Sequence, residues 1–311
     1  FVTILGAIVF GDIPDGWIGV DIGHPGTKTV LFSTARGIVA TATRETALYS
    51  TGPGIAEADT TQWLDNVIES IREVLTVGGV SAASVGAVAT SGMVPAVIPV
   101  DREGNPLRRA ILQNDARAHR EVAELGAALS GVDLVTLTGS ALTQQSVAPT
   151  TVWLREHEPE IYARTAHWVG SYDWVLTALG APCHVEQNWA LESGLFSIDG
   201  PIAAPVLEAA KLDPETLTPV HRPGTRVGEL SAQAAELTGL MPVITMRRAY
   251  NIPLPALVSA DPYGTLSTPL LDRDHAEQAA AEILRQGRRA GAHALVPRAP
   301  SLRGPAEPAV L

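Results

Sequence analysis

Trp17-Ile-Gly-Val-Asp-Ile-Gly-His-Pro-Gly-Thr-Lys-Thr-Val-Leu-Phe32 is the stretch that decides how this chain is read. It reads as two strands joined by a tight glycine turn. Ile18, Val20 and Ile22 alternate with their neighbours, and Val30, Leu31 and Phe32 resume an apolar run, the pattern expected of strands. Between the runs stand Asp21, Gly23, Gly26, Thr27 and Lys28. A carboxylate at a strand end can hold Mg²⁺, glycines let the backbone approach a phosphate, and a hydroxyl and an ammonium can donate to its oxygens. The residues suit a phosphate-handling hairpin, with Asp21 as metal ligand and Gly23, Gly26, Thr27 and Lys28 around the phosphate. An ordinary hairpin with a polar turn meets the same pattern, because glycine-rich turns are common.

The chain around this hairpin has 311 residues, 46% of them hydrophobic and 18% charged. It is long enough for two domains and apolar enough to bury a sizeable core. A formal net charge of −11 argues against a general nucleic-acid binder or a binder of anionic membranes, both of which need a basic surface. It leaves room for a local basic pocket. The opening run Phe1-Val-Thr-Ile-Leu-Gly-Ala-Ile-Val-Phe10 is too short to span a bilayer and lacks the basic start of a signal peptide. Residues 1–16 are read as an N-terminal extension. Cys183 is the single cysteine, so no internal disulfide forms within the chain, which fits a reducing cytoplasm. In Gly-Ala-Pro-Cys-His it reads as an incidental thiol in a turn.

Further along, Gly37–Thr43 reads as a third strand. Trp63, Val67, Ile71 and Val74-Leu75 fall on one helical stripe between an N-cap at Asp59 and a stop at Gly78-Gly79, predicting a helix over that segment. Ser84–Thr90 and Ala96–Val100 read as strands. Arg117–Leu129, Thr150–His157, Ile161–Ala166, Gly170–Leu179 and Ala232–Leu237 read as helices, with a break at Pro159. This order predicts an α/β fold with a mixed sheet of about five strands. After Leu240 the composition shifts toward Pro, Ala and Arg, with only Asp274–Arg289 reading as a helix. The eight histidines are scattered and contain no i, i+4 pair, so no zinc site is expected.

Several segments, in order, resemble the FGGY family of carbohydrate kinases. Asp21–Lys28 resembles that family's opening phosphate segment, and Ser91-Gly-Met-Val-Pro-Ala-Val-Ile-Pro-Val-Asp101 its sugar-side strand pair. Pro106–Arg117 resembles its Asp-x-Arg segment. Thr138-Gly139, Trp153-Leu154 with His157-Glu-Pro159, Ser171-Tyr-Asp-Trp174 and Thr238-Gly239-Leu240 follow in the family order. The resemblance runs from about Trp17 to Leu240 and implies an actin-like, ribonuclease-H-type α/β domain with flanking helices, carrying the first kinase domain over residues 17–240. Residues 241–311 are then a divergent or truncated remnant of the second domain.

The resemblance also implies roles. ATP and Mg²⁺ are the implied cofactors and a sugar or polyol the implied partner, with a homodimer as a further expectation. Met93, Gln113, Asp115, Arg117, Gln145 and Asn188 are the implied substrate-binding residues, with Trp189 as a nearby aromatic face. Asp115 and Arg117 read equally well as a structural ion pair, and Gln145 as a surface amide. Two departures stand out. Val94-Pro95 occupy the place of the family's Met-His pair, which bears on sugar preference. The family's catalytic aspartate is expected shortly after Leu240, yet no acidic residue occurs between Leu240 and Asp261. Tyr250 or Asn251 stands in its place, and neither can be an ordinary general base at neutral pH. The implied activity is ATP-dependent phosphorylation of a sugar or polyol hydroxyl, weakened in this chain. The alternative is a non-catalytic carbohydrate-binding or regulatory module derived from such a kinase.

Overall fold

The computed structural model describes residues 16–33 and 35–242, together with the backbone of residues 245–248. These belong to the first of the two units into which the chain divides, between Ile252 and Pro253. Strands β1 (Gly16–Ile22), β2 (Gly26–Ser33) and β3 (Gly37–Glu45) form an antiparallel meander. Strand β4 (Glu57–Ala58) and helix α1 (Thr60–Gly78) follow, and β5 (Val85–Gly92) then pairs parallel to β1. The short strands β6 (Ile98–Val100), β7 (Ala110–Ile111), β8 (His167–Val169), β9 (Val185–Glu186) and β10 (Val220–His221) make, with β4, three two-stranded ladders beside the main sheet: β4-β7, β6-β8 and β9-β10. Strands β11 (Arg226–Glu229) and β12 (Thr245–Arg248) complete that sheet, in the order β11-β12-β5-β1-β2-β3.

The sheet is mixed, as the sequence predicts. It has six strands rather than five: the strand read over Ala96–Val100 pairs with β8 outside this sheet, while β12 inserts parallel to β5 and carries β11 on its far side. That strand lies beyond Leu240, the last residue of the expected domain. It sits in a segment with no clear alternation of its own, so pairing partners rather than local pattern define it. The helix read over Asp274–Arg289 lies outside the described residues.

One face of the sheet is the core face. Ile18, Val20 and Ile22 of β1 stand opposite Leu31, Thr29 and Thr27 of β2 and are all buried. Helix α1 packs on this face with Trp63, Val67, Ile71 and Val74, all completely buried. Each such side chain contributes roughly 1.5–3 kcal/mol relative to leaving it exposed. Asp59 caps the helix by accepting from the Thr61 N–H at 2.9 Å, and Gly79 ends it at φ 58°, a left-handed value that glycine adopts without a Cβ penalty. A buried hydroxyl pair, Thr29 Oγ1 to Ser70 Oγ at 2.6 Å, ties helix to sheet.

The remaining described helices are α2 (His119–Ala128), α3 (Leu134–Thr138), α4 (Val147–His157), α5 (Pro159–Arg164), α6 (Ser171–Ala178), α7 (Gln187–Ser193), α8 (Ala204–Ala210) and α9 (Ala232–Thr238). The helical pieces break at Pro159 as expected: α4 ends at His157, and Pro159 opens the first turn of α5, where its missing N–H costs no hydrogen bond. Helix α6 shares the core face with α1, since Thr90 of β5 donates from Oγ1 to the Tyr172 carbonyl at 3.0 Å. The opposite face of the sheet carries Asp21, Lys28 and Ser91, which stand side by side in register.

Candidate functional site

The site is built where two parallel strands end. Strands β1 and β5 point the same way, so their carboxyl ends and the loops that follow lie together. In open α/β sheets, crevices outside such strand ends are where ligands bind. Asp21, the penultimate residue of β1, is half-buried and accepts a 3.0 Å hydrogen bond at Oδ1 from the Ser91 hydroxyl. One register step further on, the Met93 N–H donates to the Ile22 carbonyl at 3.1 Å. That bond fixes the start of the loop after β5 against the glycine turn after β1.

The turn itself is closed by the Gly23 N–H donating to the Gly26 carbonyl at 3.1 Å. Glycine is required at position 26, because a Cβ there would sit 2.2 Å from the Arg44 carbonyl oxygen of β3. At position 92 a Cβ would stand 2.6 Å from the Ile22 carbonyl oxygen. The close approach of β5 to β1 beside Asp21 therefore depends on the missing side chain.

Thr27 and Lys28, expected together on a phosphate, are divided by the strand. Successive side chains of a strand point to opposite faces. Lys28 is exposed and stands opposite Asp21. Thr27 stands opposite Ile22, on the core side, and is completely buried, its hydroxyl without a hydrogen-bond partner. In this arrangement the hydroxyl faces the core rather than the open side of the turn.

The loop after β5 gathers the sugar-side segments. Met93 is buried, and its carbonyl accepts from the Ser171 hydroxyl at 3.2 Å. Val97 pairs with Ile111 through N–H···O bonds of 2.8 and 3.0 Å, bringing the chain that leads to Gln113 alongside. Trp189 donates from Nε1 to the Ala96 carbonyl at 2.8 Å, docking α7 and with it Asn188 onto the same loop. Trp189 is therefore buried in packing, its ring covered on the side where the sequence reading set an aromatic face near the sugar. Gly194, just past α7, packs on Leu142 and Ser146, the segment that holds Gln145. Gln113 and Asn188 are half-buried and Gln145 is exposed.

Asp115 and Arg117 belong to a buried ionic network. Asp115 Oδ1 accepts from the Arg117 backbone N–H at 2.9 Å and its Nε at 2.8 Å. Asp115 Oδ2 accepts from Arg117 Nη2 at 2.8 Å and the Ala56 N–H at 2.6 Å. A carboxylate has about four acceptor positions, so this one is fully occupied from within. Arg117 also reaches Glu57 at 2.8 Å and lies over the Trp153 ring. Arg108 joins Glu57 to Glu158. Burial pulls the Arg117 guanidinium down, but its bonds to Asp115 and Glu57 more than offset this and leave its pKa raised. For Arg108 burial outweighs the pull of Glu158 and Glu57, and its pKa is lowered. The pair thus sits where the ion-pair reading placed it, clamping the Gln113 segment to β4 and the start of α5.

Tyr250 and Asn251 lie outside the residues whose side chains are described. Sequence reasoning missed Ser91 as the partner of Asp21. The signal was available only as a serine at a strand end, with nothing to say which strand lay beside it.

The sheet order and strand directions, with the two strand ends brought together, define an actin-like, ribonuclease-H-type α/β domain. The solved xylulose kinase from Rhodospirillum rubrum is similar at a TM-score of 0.70 and 36% sequence identity, over 74% of this chain and 48% of that one. A family model described as the FGGY family of carbohydrate kinases, N-terminal domain, matches residues 16–249. The chain belongs to this family. Its relatives include a xylulose kinase from Staphylococcus xylosus, 25% identical over 72% of this chain and 46% of that one. An autoinducer-2 kinase from Yersinia enterocolitica is 31% identical over 61% of this chain and 36% of that one. The chain thus spans about half or less of the length of the relatives it matches.

Proposed function

We propose that this chain supplies the sugar-binding and metal-binding side of an ATP-dependent kinase for a small sugar or polyol. The observation that carries the reading is the pairing of Asp21 with the Ser91–Met93 strand end. It sets a carboxylate and an exposed lysine at the rim of the loop that organises Gln113 and Asn188. A single carboxylate with open positions suits Mg²⁺, which keeps several waters and is bound through one or two carboxylates plus phosphate oxygens. Asp21 would hold that ion, and when bound it would neutralise phosphate charge. The Gly23–Gly26 turn admits a phosphate close to the backbone, and Lys28 is free to meet it. Met93, Gln113, Gln145 and Asn188 would bind the sugar, with Asp115 and Arg117 holding the Gln113 segment in place.

The xylulose kinases among the relatives make a ketopentose the first substrate to test. Phosphoryl transfer depends on positioning and electrostatic stabilisation more than on covalent chemistry. The absence of an acid between Leu240 and Asp261 removes a group that contributes roughly a hundred- to ten-thousand-fold in rate, so turnover by this chain is expected to be weak. The single cysteine supports a cytoplasmic setting, and a homodimer is part of the proposal, to be measured by sizing. The test is ADP release from Mg²⁺-ATP with and without xylulose. Slow, sugar-stimulated release that disappears in Asp21→Asn supports the proposal. Release that ignores both the sugar and the substitution overturns it.

A further inference from the structure

Helices α2 and α4 pack against one another, and where they meet stand Glu121, Glu156 and His157. One ligand atom of each lies within 4.8 Å of the others. We propose that these three residues form a binding site for a divalent transition-metal ion, with Zn²⁺ as its reference occupant.

Three observations carry this. Glu121 is only 1% exposed, and its Oε2 is buried without a hydrogen-bond partner. Burying a carboxylate costs heavily unless it is paired or coordinates a metal, and an unsatisfied buried group calls for an explanation. The clustered Glu156 and His157 supply the remaining donors of such a site. Second, the His157 ring is already set for coordination. Its Nδ1 lies 3.0 Å from the Trp153 carbonyl, so Nδ1–H donates there and Nε2 is the nitrogen left to face an ion. Metal-binding histidines almost always donate their other ring N–H in this way. Stacking on Trp153 at 4.7 Å fixes the ring plane. Third, Glu156 and His157 end α4, and the negative end of a helix dipole favours a cation.

One imidazole nitrogen and two carboxylate oxygens are a donor set that Zn²⁺ accepts, with a water free to complete a tetrahedron. Ligand distances of about 2.0–2.1 Å place neighbouring ligand atoms about 3.3 Å apart. Glu156 and His157 are exposed and can close the difference by side-chain rotation, whereas Glu121 is held by the packing. The ion would pin α2 to the end of α4. Two arginines flank the site: Arg120 pairs with Glu124 at 2.8 Å and adds a weaker electrostatic pull on Glu156 and Glu121, and Arg155 donates to the Ala210 carbonyl and lies 3.9 Å from Glu156. This site uses different helices from the Asp21 turn and does not depend on the proposed kinase activity.

The test is calorimetric titration of chelator-stripped chain with ZnCl₂, alongside thermal unfolding with and without the metal. One saturable equivalent is expected, with a raised unfolding midpoint. His157→Ala and Glu156→Ala, both at exposed positions, should each weaken binding at least tenfold and remove the thermal shift, while Asp65→Asn, exposed on α1, changes neither. Glu121→Gln should also lose binding, and if it fails to fold the two exposed variants still decide. No saturable uptake overturns the proposal, as does uptake unchanged in His157→Ala and Glu156→Ala, which would assign the ion to another group such as Cys183.

Discussion

The Ser91 hydroxyl donates to Asp21 Oδ1 at 3.0 Å, joining the carboxyl ends of two parallel strands across a sequence separation of 70 residues. The bond orients the one carboxylate of the opening turn toward the face that carries Lys28. Removing it in Ser91→Ala should cost about 0.5–1.5 kcal/mol of stability. It should also weaken the Mg²⁺-dependence of nucleotide binding, because the carboxylate loses its anchor. Urea unfolding and nucleotide titration with and without Mg²⁺ measure the two effects. Unchanged metal dependence would show that Ser91 does not position Asp21.

The opening turn depends on a residue without a side chain. Gly26→Ala places a methyl group 2.2 Å from the Arg44 carbonyl oxygen, and the backbone has to move. A destabilisation of about 1–3 kcal/mol or more is expected. Gly52→Ala, with nothing within 4 Å of the added carbon and no left-handed backbone, should be neutral or stabilising by up to about 1 kcal/mol. Equal urea midpoints for the two variants would contradict the close approach of β2 to β3.

Arg117 and Asp115 are nearly inaccessible to solvent, with 5% and 2% of their side chains exposed. Arg117→Ala leaves Asp115 as a buried carboxylate without its ion-pair partner, while Glu57 keeps Arg108, and should cost about 3–5 kcal/mol. Arg117→Lys should recover little, since an ammonium cannot reproduce the fork that meets both oxygens of Asp115. Full recovery by lysine would mean that charge alone matters there.

Cys183 is half-buried, and burial pushes its thiol above the ordinary value, against the Thr177 hydrogen bond that lowers it. The neutral thiol is thereby favoured at neutral pH, and the thiolate is the reactive form. Alkylation by iodoacetamide should be slower in the folded chain than in urea and should accelerate as pH rises. Faster reaction in the folded state would mark Cys183 as an activated thiol.

Much of this was legible in sequence because it rests on local pattern. The alternation of Ile18, Val20 and Ile22 gave the first strand and its buried face, and the stripe from Trp63 to Val74 gave α1 with both of its ends. What stayed hidden depends on partners distant in the chain. Thr27 and Lys28 are adjacent letters, but only the strand's face assignment separates a core hydroxyl from an exposed ammonium. Asp115 and Arg117 could be read as sugar ligands until Ala56 and Glu57 filled the remaining positions. Trp189 read as an aromatic face near a sugar, and only the bond from its indole N–H to the Ala96 carbonyl shows it buried in packing. The short helices α7 and α8 and strand β12 are too brief for periodicity to reveal, and tertiary contacts define them.

The central claim is that the loop after β5 organises a sugar site, and sugar binding tests it without depending on catalysis. Calorimetric titration of the folded chain with xylulose and a panel of related ketoses and polyols is the measurement. The account predicts saturable binding of at least one of them, with a dissociation constant in about the micromolar to millimolar range. Gln113→Ala or Asn188→Ala should weaken that binding by tenfold or more while leaving the unfolding midpoint nearly unchanged. No binding by the folded chain, or binding that neither substitution weakens, contradicts it.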